Sequence, residues 1–378
     1  MKHRVMGNFA APQNGKVHAS VRKPSATPYC ETSNFSIMDI LKHNIYINCN
    51  VGANTITDCK GEIEKIKAIK DSGDIPDMMM DLSLVKLDVP LYRIVQDTLN
   101  IYVGTVLSYI PFTKQHGLQW QICKEYLIQL GKDGVSFVTI HFTANLGLLE
   151  LAQNRNMPMT SRGGGMCLYD MQLNRRKNNL FLEHIDEIAD IALQYDITIS
   201  LGITFRPGNI FDACDEVHMA ETKQQLAISK YLKSKGIKII VENIGHIPID
   251  KLEQHAKLLR KFDVPIMPLG PIPTDTSIGQ DHISSAIGAS FMAYWGVANI
   301  LNCVTRNEHL TATIDKDVMI EAIKTMKVVK QTILLAQHNS GAIVLEQRVD
   351  KQKEMRHSCM ISDEHCNRCM SVCPLRIL

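Results

Sequence analysis

Short apolar stretches alternate with longer amphipathic ones along the chain from about residue 44. Between the short stretches, segments such as 59–73 and 213–236 place apolar residues at helical spacing and end in Gly73 and Gly236. The short stretches have the length of strands and are mostly rich in β-branched residues. They are NIYINCNV (44–51), DMMMDLS (77–83), NIYVGTV (100–106), VSFVTIHF (135–142), DITISLGIT (196–204), IKIIVEN (237–243), VPIMPLG (264–270) and GVANILNCVT (296–305).

This alternation predicts an α/β protein built from parallel βα units. Eight such units favour a closed (β/α)8 barrel. A doubly wound open sheet is the competing architecture. No GxGxxG turn follows the first strand, which weakens any dinucleotide-binding interpretation.

The pattern divides the chain into four parts. Residues 1–43 are polar and interrupted by prolines, which predicts a loose lead-in, and residues 44–312 form the barrel. Residues 313–345 form a helical segment that contains a long amphipathic stretch at 315–339. Residues 346–378 form a charged and then cysteine-rich tail.

Composition narrows the class of protein. The chain has 378 residues, 45% of them apolar, which suffices for one large domain with appendages. A net charge of +2 does not indicate a nucleic-acid partner or an anionic membrane surface. There is no apolar run of transmembrane length, and the N-terminus lacks a secretory h-region. We therefore expect a cytoplasmic protein whose eleven cysteines are thiols or metal ligands.

Polar side chains follow the predicted strands, where the chemistry of such a barrel gathers. The glycines of SRGGGM (161–166) free backbone N–H groups for an anion, and Arg162 adds charge. Arg206 in FRPGNI (205–210) supplies a second guanidinium group. A flexible glycine loop and a salt-bridged arginine are the plainer alternatives. The other polar residues near strand ends are Asn50, Asp81, Ser83, Thr105, Tyr109, His141, Glu242, His246, Glu308 and His309.

Two histidines follow strand ends in the last third of the predicted barrel. His246 follows the sixth strand and His309 follows the eighth. Such a pair can meet over a barrel mouth and bind zinc, with water or substrate completing the shell. Surface or hydrogen-bonded core histidines are the alternative.

The C-terminus, HCNRCMSVCPLRIL, holds the spacing Cys366-x2-Cys369-x3-Cys373. Three clustered thiols with no fourth at matching spacing fit a [4Fe–4S] cluster that leaves one iron open. Cys359 with His357 or His365 could instead complete a zinc site. The tail by itself leaves both possibilities open.

Several stretches together resemble the ThiC family of radical S-adenosylmethionine enzymes, which comprises phosphomethylpyrimidine synthases and their anaerobic paralogues. They are NVGAN, MDLS, VGTV..Y, TIHF, SRGG, FRPGNI.DA.D, E..GH.P, LGPI.TD...G.DHI.SAIGA and EHL. The resemblance implies 5-aminoimidazole ribotide as substrate and a [4Fe–4S] cluster whose open iron binds S-adenosylmethionine. It also implies a reductant such as flavodoxin or ferredoxin, and a homodimer or a pair with a related paralogue.

Site residues follow from the resemblance position by position. Cys366, Cys369 and Cys373 match the cluster ligands, and His246 and His309 match ligands of zinc or another divalent metal. Glu242 and His141 are the candidates for acid–base catalysis. The positions that match the substrate-binding residues are Asn50, Met80, Tyr109, His141, Ser161, Arg162, Gly163, Arg206 and Glu242.

Some positions depart from the family pattern. Ile203 stands where the family has an acid, Met267 lies where it has a tyrosine, and the last cysteine gap is one residue shorter. An altered pocket beside retained anchors favours the paralogous reaction that makes 5-hydroxybenzimidazole, the lower ligand of cobamides. Synthesis of hydroxymethylpyrimidine phosphate for thiamine is the alternative. A non-catalytic ribotide-binding partner of an active paralogue is the second alternative.

Overall fold

The computed structural model describes residues 44–311, 314–361, 366 and 368–377. The predicted lead-in at 1–43 and the candidate ligand His365 lie outside the described residues. All eight predicted strands are confirmed. Their bounds are β1 (Tyr46–Val51), β2 (Met78–Asp81), β3 (Tyr102–Val106), β4 (Phe137–Ile140), β5 (Thr198–Leu201), β6 (Ile239–His246), β7 (Ile266–Ile272) and β8 (Ile300–Asn302).

The strands form one parallel sheet that is nearly closed into a barrel. Their order is β7-β6-β5-β4-β3-β2-β1-β8, and every paired neighbour is parallel. The two edge strands, β7 and β8, meet at a single bridge between Ile266 and Ala298 in the described chain. The (β/α)8 prediction is therefore confirmed, with a seam between the last two strands.

Helices alternate with the strands and then continue beyond them. Asp215 begins the helix after β5 by accepting a hydrogen bond from the His218 N–H, and Gly73 ends the first helix with a φ of 71°. Their bounds are α1 (Cys59–Ser72), α2 (Leu91–Leu99), α3 (Trp120–Lys132), α4 (Leu146–Leu151), α5 (Arg162–Leu173), α6 (Leu180–Glu183), α7 (Ile185–Tyr195), α8 (Glu216–Ser234), α9 (Ile249–Leu259), α10 (Asp281–Tyr294), α11 (Lys316–Ala336), α12 (Ser340–Arg356) and α13 (Pro374–Ile377).

Apolar side chains fill the lower interior of the barrel. Gly104 on β3 makes this possible, because a Cβ there would lie 2.3 Å from the Phe137 ring. The inner cluster consists of Met78, Met80, Val106, Tyr109, Phe137, Ile240, Met267 and Ile300. A larger cluster lies between the sheet and the surrounding helices. In such a filled barrel, ligands bind at the end near the strands' C-termini.

The C-terminal helices differ in how they pack. Helix α11 packs against α1 and α10 and is fixed to the strand layer by Lys330, whose Nζ lies 2.8 Å from Asp77 Oδ2. Helix α12 buries only Ala342. The boundary predicted between residues 345 and 346 falls inside α12. The charged residues that follow it lie on exposed turns of this helix. No helix among the described residues is long and apolar enough to cross a membrane.

Candidate active site

A cavity of about 540 Å³ opens at the C-terminal ends of the strands. It brings together residues that are far apart in sequence, and most of the predicted site residues are among them. Those that line it are Asn50, Met80, Tyr109, His141, Ser161, Arg162, Arg206, Glu242, His246 and His309. Gly163 lies directly behind this wall, since a Cβ built on it would be 2.4 Å from His141 Cε1.

One wall of the cavity is the start of α5. The Ser161 side chain caps this helix by accepting a hydrogen bond from Gly164 N at 3.1 Å. Arg206 lies beside it and donates a long hydrogen bond of 3.5 Å to Thr160 O, while the Arg162 guanidinium lies 5.2 Å from the centre of the Tyr109 ring. A helix N-terminus flanked by two guanidinium groups favours an anionic ligand.

The glycines after Ser161 lie inside this helix, and the alternative of a flexible glycine loop is wrong. A Cβ on Gly163 would meet His141, and a Cβ on Gly164 would lie 2.4 Å from Thr204 Cγ2. Both contacts are far shorter than van der Waals separation. The glycines therefore let the first turn of α5 press against the ends of β4 and β5.

The variant Gly163→Ala tests this close approach. Overpacking against the immobile His141 costs about 1–3 kcal/mol, which exceeds the gain of at most about 1 kcal/mol in helix propensity. The matched control is Gly165→Ala, whose Cβ would lie 3.8 Å from Met159. Urea denaturation should rank Gly163→Ala below the wild type and Gly165→Ala at or above it. An equal or reversed ranking of the two variants would contradict the packing described.

His141 and Glu242 lie deep in the cavity. His141 Nε2 is 2.8 Å from Ser161 Oγ, and its Nδ1 has no partner among the described residues. Burial, with a smaller effect of Arg206, lowers the pKa of His141 to about 3, so the ring is neutral at physiological pH. Burial raises the pKa of Glu242, opposed by hydrogen bonds from Thr139 Oγ1 (2.6 Å) and Ser200 Oγ (3.0 Å). Glu242 is therefore better suited than His141 to exchange a proton.

The depressed pKa of His141 predicts a pH-dependent stability. Below pH 6.5 the unfolded chain binds a proton at this position and the folded chain does not until about pH 3. Stability should therefore fall with falling pH, by about 1.4 kcal/mol per pH unit from this residue. Urea denaturation between pH 6.5 and 5 should show a shallower slope for His141→Gln than for wild type. The exposed His116→Gln should keep the wild-type slope, and equal slopes in all three proteins would refute the assignment.

His246 and His309 meet at the rim of the cavity. Their ring centres are 5.0 Å apart, and each Nδ1 faces a carboxylate: Asp275 Oδ1 at 2.7 Å and Asp281 Oδ1 at 3.1 Å. Burial lowers the pKa of His246, with Asp275 opposing, which favours the neutral imidazole that metals bind. Carboxylates on Nδ1 leave both Nε2 atoms for a cation. The pair could therefore hold a divalent metal.

The sequence analysis did not identify the two aspartates as site residues, although both lie in a stretch that it singled out. Asp275 and Asp281 both lie within the stretch LGPI.TD...G.DHI that carried the resemblance. An acid that orients a metal ligand cannot be told from other acids without knowledge of which histidine it faces.

Comparison with known proteins decides the family. A sequence model of the Radical SAM ThiC family matches residues 31–368. The chain belongs to the Radical SAM ThiC family. The predicted membership is confirmed, and it implies a radical S-adenosylmethionine enzyme that uses a [4Fe–4S] cluster, a small-molecule substrate and a reductant.

Solved structures resemble the chain distantly. Dihydropteroate synthase from Thermus thermophilus is 12% identical over 76% of this chain and 95% of that one, with a TM-score of 0.42. The Xanthomonas albilineans dihydropteroate synthase is 10% identical over 76% and 94%, also with a TM-score of 0.42. Phospho-2-dehydro-3-deoxyheptonate aldolase from Thermotoga maritima is 12% identical over 77% and 71%, with a TM-score of 0.41.

The tail offers donors that suit the cluster of a ThiC-family enzyme. Cys369 and Cys373 flank the short 3₁₀ helix Met370–Val372, and Cys366 precedes them. All three are half-buried free thiols, which are the donors that iron–sulfur clusters require. His357 Nε2 lies 2.9 Å from Leu375 O, which holds the segment against the end of α12.

Two departures from the ThiC pattern lie elsewhere than predicted. Ile203 and Met267 are fully buried, and neither lines the cavity formed by the described residues. Met267 belongs to the inner apolar cluster with Met80 and Tyr109, which do line it. Neither side chain therefore contacts a ligand in this cavity directly, and Met267 affects the cavity through the apolar residues that line it.

Proposed function

We propose that this protein converts 5-aminoimidazole ribotide into 5-hydroxybenzimidazole by radical S-adenosylmethionine chemistry. The observation that carries the proposal is the polarity of the cavity. Its α5 side has two guanidinium groups and a helix N-terminus, and its interior has the buried carboxylate of Glu242. A ribotide has matching groups, with an anionic phosphate at one end and, at the other, an aminoimidazole whose amine can donate hydrogen bonds to a carboxylate.

The chain's own residues would bind and orient this substrate. Backbone N–H groups at the start of α5, Arg162 and Arg206 would hold the phosphate. Both hydrogen bonds that Glu242 receives from described residues go to Oε1, which leaves Oε2 for the amine of the substrate. The neutral His141 would accept a hydrogen bond through Nδ1.

Two bound groups would complete the site. Cys366, Cys369 and Cys373 would hold the cluster, and His246 and His309 would hold zinc or another divalent metal. When bound and reduced, the cluster would supply the electron that cleaves S-adenosylmethionine to methionine and a 5′-deoxyadenosyl radical, which can abstract hydrogen from the ribose. The apolar floor under Met80 excludes water from that step.

The choice of product depends on the cavity floor. Met267 belongs to the same apolar cluster as Met80 and Tyr109, and it stands where the family pattern has a tyrosine. A thioether in place of a phenol removes a hydroxyl from this layer. Because Met267 does not line the cavity, the exchange changes the packing next to the substrate and not a substrate hydrogen bond, and a reshaped apolar layer favours a changed pose. This supports the paralogous product over hydroxymethylpyrimidine phosphate.

A product assay tests the proposal. The reconstituted protein would be incubated anaerobically with reductant, S-adenosylmethionine and the ribotide, as a homodimer and with a related paralogue, and analysed by mass spectrometry. We expect 5-hydroxybenzimidazole and 5′-deoxyadenosine. Hydroxymethylpyrimidine phosphate would assign the protein to thiamine synthesis instead. Absence of 5′-deoxyadenosine in both mixtures, despite an intact cluster, would overturn the catalytic assignment.

A further inference from the structure

A second group of metal-binding side chains lies outside the barrel mouth. The ligand atoms of Cys214, His218 and His255 all lie within 4.8 Å of one another. Cys214 precedes α8, His218 is in its first turn, and His255 is in α9. The group is therefore located between the sheet and its outer helices, and none of the three lines the cavity described above.

Asn243 on β6 fixes the tautomers of both histidines. Its Nδ2 donates to Gln225 Oε1 at 2.7 Å, so its Oδ1 must be the acceptor. That oxygen lies 3.2 Å from His218 Nε2 and 2.8 Å from His255 Nε2. Both rings therefore carry their proton on Nε2 and present the lone pair of Nδ1. An amide oxygen that orients two imidazoles in this way is the arrangement found behind metal-bound histidines.

The Nδ1 lone pair of His255 is free and that of His218 is weakly occupied. His255 is 1% exposed, and its Nδ1 has no hydrogen-bond partner among the described residues. His218 Nδ1 accepts a long hydrogen bond of 3.3 Å from the Cys214 backbone N–H, which a metal ion would have to displace. A buried polar atom without a partner is costly, because it has given up its hydrogen bonds to water.

We propose that Cys214, His218 and His255 bind a zinc ion, separate from any metal at His246 and His309. One thiolate and two neutral imidazoles are donors that Zn²⁺ prefers, and tetrahedral zinc accepts this set with one further ligand. Cys214 is the half-buried member, so solvent would reach the fourth position from its side. Binding would release the proton of the Cys214 thiol.

The position of this site indicates a structural role. Asp215, adjacent to Cys214, accepts hydrogen bonds of 2.7 and 2.6 Å from Arg155, whose Nη1 donates to Phe205 O at 2.8 Å. Zinc would thus fix the segment between β5 and α8, which carries Arg206 to the cavity. The inference does not depend on which product the enzyme makes.

Cobalt substitution provides the first test. The parent protein would be the full chain with the three tail cysteines changed to serine, so that the tail contributes no thiolate. Titration with Co²⁺ alone should give a thiolate-to-cobalt charge-transfer band that saturates at one equivalent of Co²⁺ per chain. Cys214→Ser should abolish the band. The matched control Cys59→Ser, another half-buried free cysteine, should leave it unchanged.

Zinc content provides the second test and guards against misfolding. After dialysis, His255→Asn should retain one equivalent of zinc fewer than the parent, and the exposed control His116→Asn should retain the parent amount. Without metal, each variant should give the same circular dichroism spectrum as the metal-free parent, which shows that it is folded. A charge-transfer band that survives Cys214→Ser, or equal zinc in His255→Asn and the parent, would overturn the proposal and leave a hydrogen-bonded histidine pair.

Discussion

Cys369→Ser is expected to abolish cleavage of S-adenosylmethionine and the iron–sulfur absorbance of the reconstituted protein. The proposed cluster has three protein ligands and no spare one at matching spacing in the described tail, so loss of one thiolate leaves two irons without protein ligands. Serine is close in size, and the tail is largely exposed, so the barrel should unfold at an unchanged temperature. Anaerobic absorbance, iron content and 5′-deoxyadenosine formation are the measurements.

The matched control for this experiment is Cys359→Ser. Cys359 is an exposed free cysteine of the same segment and was the candidate fourth ligand of a zinc site. It should retain the cluster and the cleavage activity. Equal loss in both variants would show that the tail site includes Cys359, which would count against a three-cysteine cluster.

Glu242→Gln is expected to lower kcat/KM by about 10²–10⁴-fold, the range for loss of a general acid or base. Glutamine can still accept the hydrogen bonds from Thr139 and Ser200, so the fold should persist. It cannot take up a proton or balance the charge of Arg206. The control is Glu308→Gln, an exposed carboxylate on the same cavity rim, which should cost less than about tenfold.

The pH profile separates a proton-transfer role of Glu242 from simple positioning. Burial raises the pKa of its carboxyl group, so wild-type activity should fall as the pH drops through that raised value. Glu242→Gln should lack this acid limb. If it shows the wild-type limb at reduced amplitude, another group titrates and Glu242 serves only to position the substrate.

The sequence was sufficient to predict the barrel because each strand is a short buried run between amphipathic segments. It was insufficient where tertiary packing overrides local preference. The glycines at 163–165 indicate a flexible loop by composition, yet they lie inside a helix, and close packing against His141 and Thr204 requires glycine at 163 and 164. Likewise, the departures at Ile203 and Met267 are visible in the sequence, but only the fold shows that both side chains are fully buried and do not line the cavity.

The sequence predicts those residues of the candidate site that are polar and follow a predicted strand. Asp275 and Asp281, which orient His246 and His309, became visible only when the loops were placed together. The grouping of Cys214 and His218 with His255 was hidden for the same reason. Cys214 precedes α8, the two histidines lie on α8 and α9, and Asn243 on β6 joins these histidines.

The seam between β7 and β8 gives the two histidines at the cavity rim, His246 and His309, a role in holding the sheet together. His246 ends β6, which pairs with the edge strand β7 apart from a bulge between Ile244 and His246, whereas His309 follows the other edge strand, β8, which pairs with β1. An ion held by both rings would link the β6–β7 pair to β8 across the seam, where the described chain has a single bridge. Closure of the barrel and occupancy of the rim would then be one equilibrium, and removal of the ion would speed amide hydrogen exchange first along these two strands.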